Sequence, residues 1–536
     1  PNNPNNPDNP NNPNNPDNPN NPNNPDNPNN PNNPNNPNNP NNPNSPPISP
    51  RDRARFDRGR SLFPDPNQPF SREQRQNQNR ISRDIGKPGD RMPPERMQSP
   101  RGLRNFINSN IRDSVIQSAA FRGDIGRNLE IGNISAALSL LDKSFSQEFR
   151  EYLGINISDE LVSPEEIKKK LASVGAETGT KPSLIYLFSQ PEELNLMLIN
   201  SCGEVVHKSV PAANRAELLK VVTQFRDEIT KPGVRTTTSY LPSSQQLYKW
   251  MIAPLEDSLK SCETDTISFV VDRGLRGMPF AALHDGQQFL VEKYNLSLMP
   301  SINLTDTRYV DLRNSQVLAM GASEFSELNP LPAVPAEIAA ISREWPGVSF
   351  LNEDFTLDNL KRQHQSRPFG VIHLATHGEF RPGAPNNSFI QFWNSRLRLD
   401  QLRDLRLNDP QVNLLVLSAC RTAVGDAQAE LGFGGLALQA GVQTALGSLW
   451  YVSDEGTLGL MSEFYQQLKT ARIKGAALRQ AQIAMLRGDV RLEGGRLRGL
   501  SRGQGVELPS SLQGFADLKL SHPYYWSAFV MIGSPW

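Results

Sequence analysis

Two continuous apolar runs dominate the chain, Val371-Ile372-His373-Leu374-Ala375-Thr376-His377-Gly378-Glu379 and Leu414-Leu415-Val416-Leu417-Ser418-Ala419-Cys420-Arg421-Thr422. Neither alternates with polar residues as a half-exposed strand does, and both are short, so they read as neighbouring buried strands of a parallel sheet. Runs at 317–321, 348–351, 444–450 and 529–532 predict further strands. The stretch 336–341, the segment led by Gly432, Gly434 and Gly435 through Ala440, and a longer one from about Gly456 to Lys469 predict helices. Alternation of strand and helix requires crossover connections, so residues 316–536 are expected to form an α/β fold, one mostly parallel sheet with helices on both faces.

The pattern extends backwards with a change of proportion. Strands are predicted at 184–188, 194–199, 204–207 and 267–271, with helices at about 213–229 and 244–259, giving a smaller α/β half over 181–315. Residues 106–180 read as a helical lead-in. Its first helix runs from Ile134 through the stripe Phe145, Phe149 and Tyr152, and its second opens on Ser163-Pro164-Glu165-Glu166, a capping box with proline in the first turn. Residues 1–105 carry no such periodicity. A Pro-Asn-Asn repeat removes backbone donors every third residue, and a basic proline-rich linker with Arg51, Arg53, Arg55, Arg58 and Arg60 follows, so this part is expected to be a disordered tether.

Composition narrows the function classes. Lys+Arg 56 equals Asp+Glu 56, which removes any global electrostatic case for nucleic acid or acidic membranes as partners. No run reaches the apolar length of a transmembrane segment. Cys202, Cys262 and Cys420 are too few and too odd in number for a disulfide framework, and they suit a reducing compartment or any compartment with one reactive thiol. The chain begins inside a repeat without an initiator Met, so a signal sequence could lie upstream; localisation stays open, with the cytoplasm favoured over export.

In parallel sheets reactants sit beyond the carboxyl ends of the strands, and His377 and Cys420 fall there. A thiol needs a base to become a thiolate at neutral pH, and an imidazole on the adjacent strand supplies one, so the pair reads as a nucleophilic dyad. A zinc site on His373 and His377 is disfavoured, because four strand residues separate ligands by more than about 10 Å. Asp426 fits either the cleft or a turn with Gly425, and Asp454 fits either a pocket or the cap of the helix near Gly456. The glycines at 432, 434 and 435 lack the pattern of a phosphate loop and read as a tight turn. Residues 491–505, rich in Arg and Gly, read as an exposed loop.

His-Leu-Ala-Thr-His-Gly at 373–378, Leu-Ser-Ala-Cys-Arg-Thr at 417–422, Gly-Ser-Leu-Trp-Tyr-Val-Ser-Asp at 447–454, Met-Pro-Phe-Ala-Ala-Leu at 278–283 and His522-Pro523-Tyr524-Tyr525-Trp526 together resemble the CHAT family. These are caspase-like cysteine peptidases related to separase, and the likeness runs from about residue 180 onward. The resemblance implies a pseudo-caspase-like half before a caspase-like catalytic half. In the latter His377 would be the general base and Cys420 the nucleophile, with the backbone N–H groups of Gly378 and Cys420 as the oxyanion hole. Asp454 matches the acidic position that in separase helps line the pocket for a basic residue preceding the cut, and Asp426 is a second substrate-binding candidate. The expected function is a cysteine endopeptidase acting on a protein substrate through a thioester, with no metal or organic cofactor and with a possible activating protein partner. The alternative is a catalytically silent CHAT module that binds or signals. The tandem-repeat helices that often precede the module are absent here.

Overall fold

The structure, a computed structural model, describes residues 121–155, 160–231, 233, 235–422, 426–499, 506–508 and 518–536, of which 419–422 and 506 are described in their backbone alone. The expectations for the Asn/Pro repeat, the basic linker and the onset of order near Phe106 lie outside the described residues.

The lead-in forms as its spacing requires. A helix spans Ile134–Leu153, and Pro164–Thr178 follows behind the full capping box. There the Ser163 hydroxyl accepts from Glu166 N at 3.2 Å while the Glu166 carboxylate accepts from Ser163 N at 2.7 Å.

The strands are β1 (Pro182–Ser189), β2 (Leu194–Asn200), β3 (Val205–Val210), β4 (Thr266–Val271), β5 (Asn295–Leu298), β6 (Val317–Gly321), β7 (Gly347–Leu351), β8 (Val371–Phe380), β9 (Phe389–Gln391), β10 (Arg396–Arg398), β11 (Leu414–Thr422), β12 (Thr444–Ser448), β13 (Arg491–Glu493), β14 (Arg496–Arg498), β15 (Val506–Glu507), β16 (Leu518–Lys519) and β17 (Phe529–Gly533). Thirteen of them make one sheet. β7, β6, β8, β11 and β12 are parallel neighbours, and β17 closes this set antiparallel to β12. β17 then meets β5 through the single pair Ile532↔Leu298, and β5, β4 and β1 continue in parallel before the antiparallel β2 and β3. The mostly parallel α/β architecture expected from the sequence is therefore present.

Helices cover both faces. Leu184, Tyr186 and Phe188 pack with Leu141, Phe145 and Leu171 of the lead-in. Ile185 and Leu187, pointing the other way by strand alternation, pack with Phe225 of the helix Arg215–Thr230 and Leu247 of Leu241–Met251. The single helix expected at 244–259 is two, Leu241–Met251 and Glu256–Ser261, because Pro254 cannot donate within a continuous helix.

Three further expectations are corrected. Cys202 and Cys262 form a disulfide: the turn after β2 lies beside the end of the helix Glu256–Ser261, a proximity across 60 residues that an odd cysteine count could not reveal. Gly432 and Gly434 lie inside the helix Ala427–Gly434 rather than leading into one, and a Cβ at Gly434 would come within 3.3 Å of Phe149, so they let the lead-in helix approach. Within the Arg/Gly-rich stretch at 491–505, β13 and β14 form a hairpin turning on Gly494 and Gly495, both at positive φ, with Leu492 and Leu497 buried beneath charged neighbours. Residues 500–505 of that stretch lie outside the described residues.

Candidate active site

Strand β8 is long enough to serve two sets of neighbours. Val371 to Ala375 pair with β6, whereas Gly378 and Glu379 pair antiparallel with Ile390 and Phe389 of β9. On its other edge β8 runs parallel to β11 along its whole length. The ladder breaks once: Leu417 pairs with Leu374 but Ala419 with His377, so Ala375 and Thr376 stand against Ser418 alone. This bulge falls immediately before His377, a place where an extra residue can re-aim a side chain. It also ends the strict alternation that would put His373 and His377 on one face.

The two histidines have different surroundings. His373 is fully buried, its Nε2 2.9 Å from the Glu337 carboxylate of the helix Val334–Glu344 and its ring edge-on to Tyr465. His377 is half-buried at the carboxyl end of the strand. Its Nε2–H donates to the Asn329 carbonyl at 2.7 Å. A carbonyl only accepts, so in the neutral ring Nε2 carries the proton and Nδ1 holds the lone pair. Phe325 packs edge-on against the ring at 4.8 Å, and Tyr451, exposed at the rim, lies nearly parallel to it at 6.0 Å. Burial holds the imidazole below its ordinary value, against the pull of the Asn329 carbonyl and Glu379. The ring is thus neutral, oriented and basic at Nδ1.

Cys420 stands opposite Gly378, and Ala419 opposite His377. Adjacent strands lie about 4.8 Å apart, so the backbones bearing the thiol and the imidazole are one strand spacing from each other. The Cys420 side chain lies outside the described residues, and Gly378, the other expected oxyanion donor, is buried between β9 and β11.

The two aspartates part company. Asp426 is the N-cap of Ala427–Gly434, accepting from Gln428 N and Ala429 N at 2.9 Å each, so one carboxylate oxygen is committed to the helix. Asp454 is not a cap. Ser453 caps the helix Asp454–Leu468, accepting from Gly456 N. That leaves Asp454 with two long contacts, Ala333 N and the Tyr451 hydroxyl, each at 3.5 Å. Burial pushes its carboxyl up to about 6, with Glu455 and Glu337 adding to the rise. A half-satisfied carboxylate of this kind, one aromatic ring away from His377, is suited to receive a cation.

Sequence reasoning missed Asn329, Phe325 and the orienting role of Tyr451. Asn329 acts through its backbone, so no residue type announces it; the only legible sign is its place in the loop after β6, at the same rim of the sheet. Among the described residues no group of three or more His, Cys, Asp or Glu could hold a metal ion, and no helix is long and apolar enough to cross a membrane.

The family model for the CHAT domain matches residues 241–534, more than half of the 536 residues. No curated protein matches the chain. Among solved structures the chain is similar to separase in two Saccharomyces cerevisiae separase–securin complexes. One, at 2.6 Å resolution, has a TM-score of 0.44 and 11% identity; the other, at 3.0 Å, has 0.43 and 12%. In both the match covers 74% of this chain and 34% of the separase chain, so the chain spans about a third of the length of the proteins it matches.

Proposed function

The chain belongs to the CHAT domain family, and from that premise we propose that it is a cysteine endopeptidase cutting a protein substrate through Cys420 and His377. The observation that carries the reading is the register of β11 on β8, with Ala419 and Cys420 set against His377 and Gly378 at the carboxyl ends of two parallel strands. The tautomer fixed by Asn329 supports it, since it leaves Nδ1 free to accept a proton.

The course follows from these groups. Nδ1 of His377 takes the Cys420 proton, and the thiolate attacks the scissile carbonyl carbon, forming a C–S bond. The N–H groups of Gly378 and Cys420 hold the resulting oxyanion. The C–N bond then breaks as His377 returns its proton to the leaving amine, giving a thioester. Water, deprotonated by His377, cleaves the thioester and releases the carboxylate. Asp454, ionised above about pH 6, receives a basic side chain preceding the cut.

The test is to incubate the full chain with a proteome and map new N-termini. Wild-type protein generates them, and Cys420→Ala and His377→Ala proteins, still folded by circular dichroism, generate none. Turnover that appears only with added cell extract identifies an activating protein partner. Cleavage by the Cys420→Ala protein contradicts the assignment, and absence of cleavage under every condition favours the silent binding module.

A further inference from the structure

On the side of His377 away from Cys420 the surface opens into a groove. β9 lies there, and Gly378↔Ile390 sets Gln391 next to His377. The Thr376 hydroxyl holds the strand by donating to the Gln391 carbonyl at 2.6 Å. Phe325, whose ring touches His377, and Trp393 wall a pocket of about 230 Å³ that ends on Glu327 and Arg396. Arg396 also lines the next pocket, about 630 Å³, together with Arg381 and Arg398. The two pockets share this one guanidinium and run along the β9–β10 hairpin.

Three arginines and one carboxylate, Glu327, line the two pockets, so guanidinium groups outnumber carboxylates on the groove wall although each arginine has an acidic neighbour. Arg396 is held ready, its Nε donating to the Gln391 side chain at 2.9 Å and its plane 4.7 Å from the Phe389 ring; Arg381 lies 4.9 Å from the same ring. Glu379 and Asp400 pair with Arg381 and Arg398 without lining the groove. Glu327 is largely exposed and 3.3 Å from Arg396, a surface pair that a competing carboxylate can displace at little cost.

Position gives the groove its meaning. His377 hands its proton to the leaving amine, so the peptide after the cut departs past His377, where the groove opens at Phe325 and Gln391. Asp454 lies behind Tyr451, against Ala333 N, and does not line the groove. Resting on the peptidase reading above, we propose that this groove binds the segment following the scissile bond and selects acidic residues there through Arg396, with Arg381 and Arg398 extending the preference outward. A carboxylate fits a guanidinium fork by paired hydrogen bonds.

The test separates binding from turnover. A fluorescein-labelled octapeptide of alternating Glu and Gly is titrated by anisotropy onto the full-length Cys420→Ala protein, beside its Lys/Gly counterpart. The Glu peptide binds at least tenfold more tightly, its affinity falls with salt, and Arg396→Glu abolishes the difference. Equal affinities, or a preference untouched by Arg396→Glu, overturn the proposal. N-termini mapped for active enzyme give the second arm, with Asp and Glu enriched in the first four residues after the cut for wild type and depleted for Arg396→Glu. Cleavage without that enrichment overturns the groove and spares the peptidase; acidic-peptide binding lost in Arg396→Glu without any cleavage upholds the groove as a docking site and sinks the peptidase.

Discussion

Two rims of one sheet end in opposite electrostatic conditions. Beyond β1 and β4, Asp272 is fully buried and saturated. Arg122 donates to both its oxygens at 3.0 and 2.6 Å, Ser189 N and Arg273 N donate as well, and Arg215 stands 3.5 Å away. Its carboxyl is held down to about 2, burial working against the change and the arginines prevailing. Around it Glu148 pairs with Arg273 and Arg276, and Glu430 of the helix Ala427–Gly434 accepts from Gly274 N. Beyond β8 and β11, His377 has one carbonyl and Asp454 two long contacts, with its carboxyl raised to about 6. The same strand ends can therefore be closed with charge or left open for chemistry. Polar groups without full partners cost stability, and they persist where a substrate is to supply what is missing.

The sharpest way to break this contrast is at the saturated rim. Asp272→Ala leaves two guanidinium groups without their carboxylate and is expected to cost roughly 3–5 kcal/mol in chemical denaturation, since removing one partner strands the other's charge. Cleavage per folded molecule should be unchanged. Cys202→Ser with Cys262→Ser releases a long loop and is expected to cost roughly 2–4 kcal/mol without loss of turnover.

Asp454→Asn sharpens the contrast in the opposite direction. A carboxyl raised from 3.8 to about 6 favours the folded state while protonated, so its stabilising share is present below the ordinary value and lost as pH rises to about 6. Asp454→Asn should accordingly be more stable than wild type above pH 6, by about 1–2 kcal/mol after solvent screening, and no different near pH 3. Its cleavage after basic residues should fall while cleavage after neutral ones holds. Asp272 has the reverse sign: its contribution is full above pH 3.8 and lost as pH falls toward 2. Thermal denaturation of the two variants across pH reads both slopes. The smallest effect is Phe325→Ala, which removes the edge contact on His377 and should lower kcat about tenfold.

Much of the fold was legible because local signals agreed with the global pattern. Buried strands such as 371–380 and 414–422 could serve only in the middle of a sheet, and Ser163 with Glu166 announced a helix start. What stayed hidden depended on distant neighbours. The pairing of Cys202 with Cys262, the glycines that admit Phe149 and the hairpin at Gly494 and Gly495 all follow from what lies across the interface, while Pro254 broke a helix whose apolar spacing ran on. At the site, His377 and Cys420 were visible as residue types at strand ends. The carbonyl of Asn329 was not, since any residue there offers the same oxygen, and the open state of Asp454 needed Ser453 to be seen taking the cap.

The central claim is that an imidazole on β8 serves a thiol on β11. With Cys202 and Cys262 bonded, Cys420 is the one cysteine outside the disulfide, so the rate of iodoacetamide alkylation of the native full chain at pH 7 reports on it alone. The rate should fall at least tenfold in His377→Ala and stay unchanged in His373→Gln. An alkylation rate that His377→Ala leaves unaltered would contradict the account.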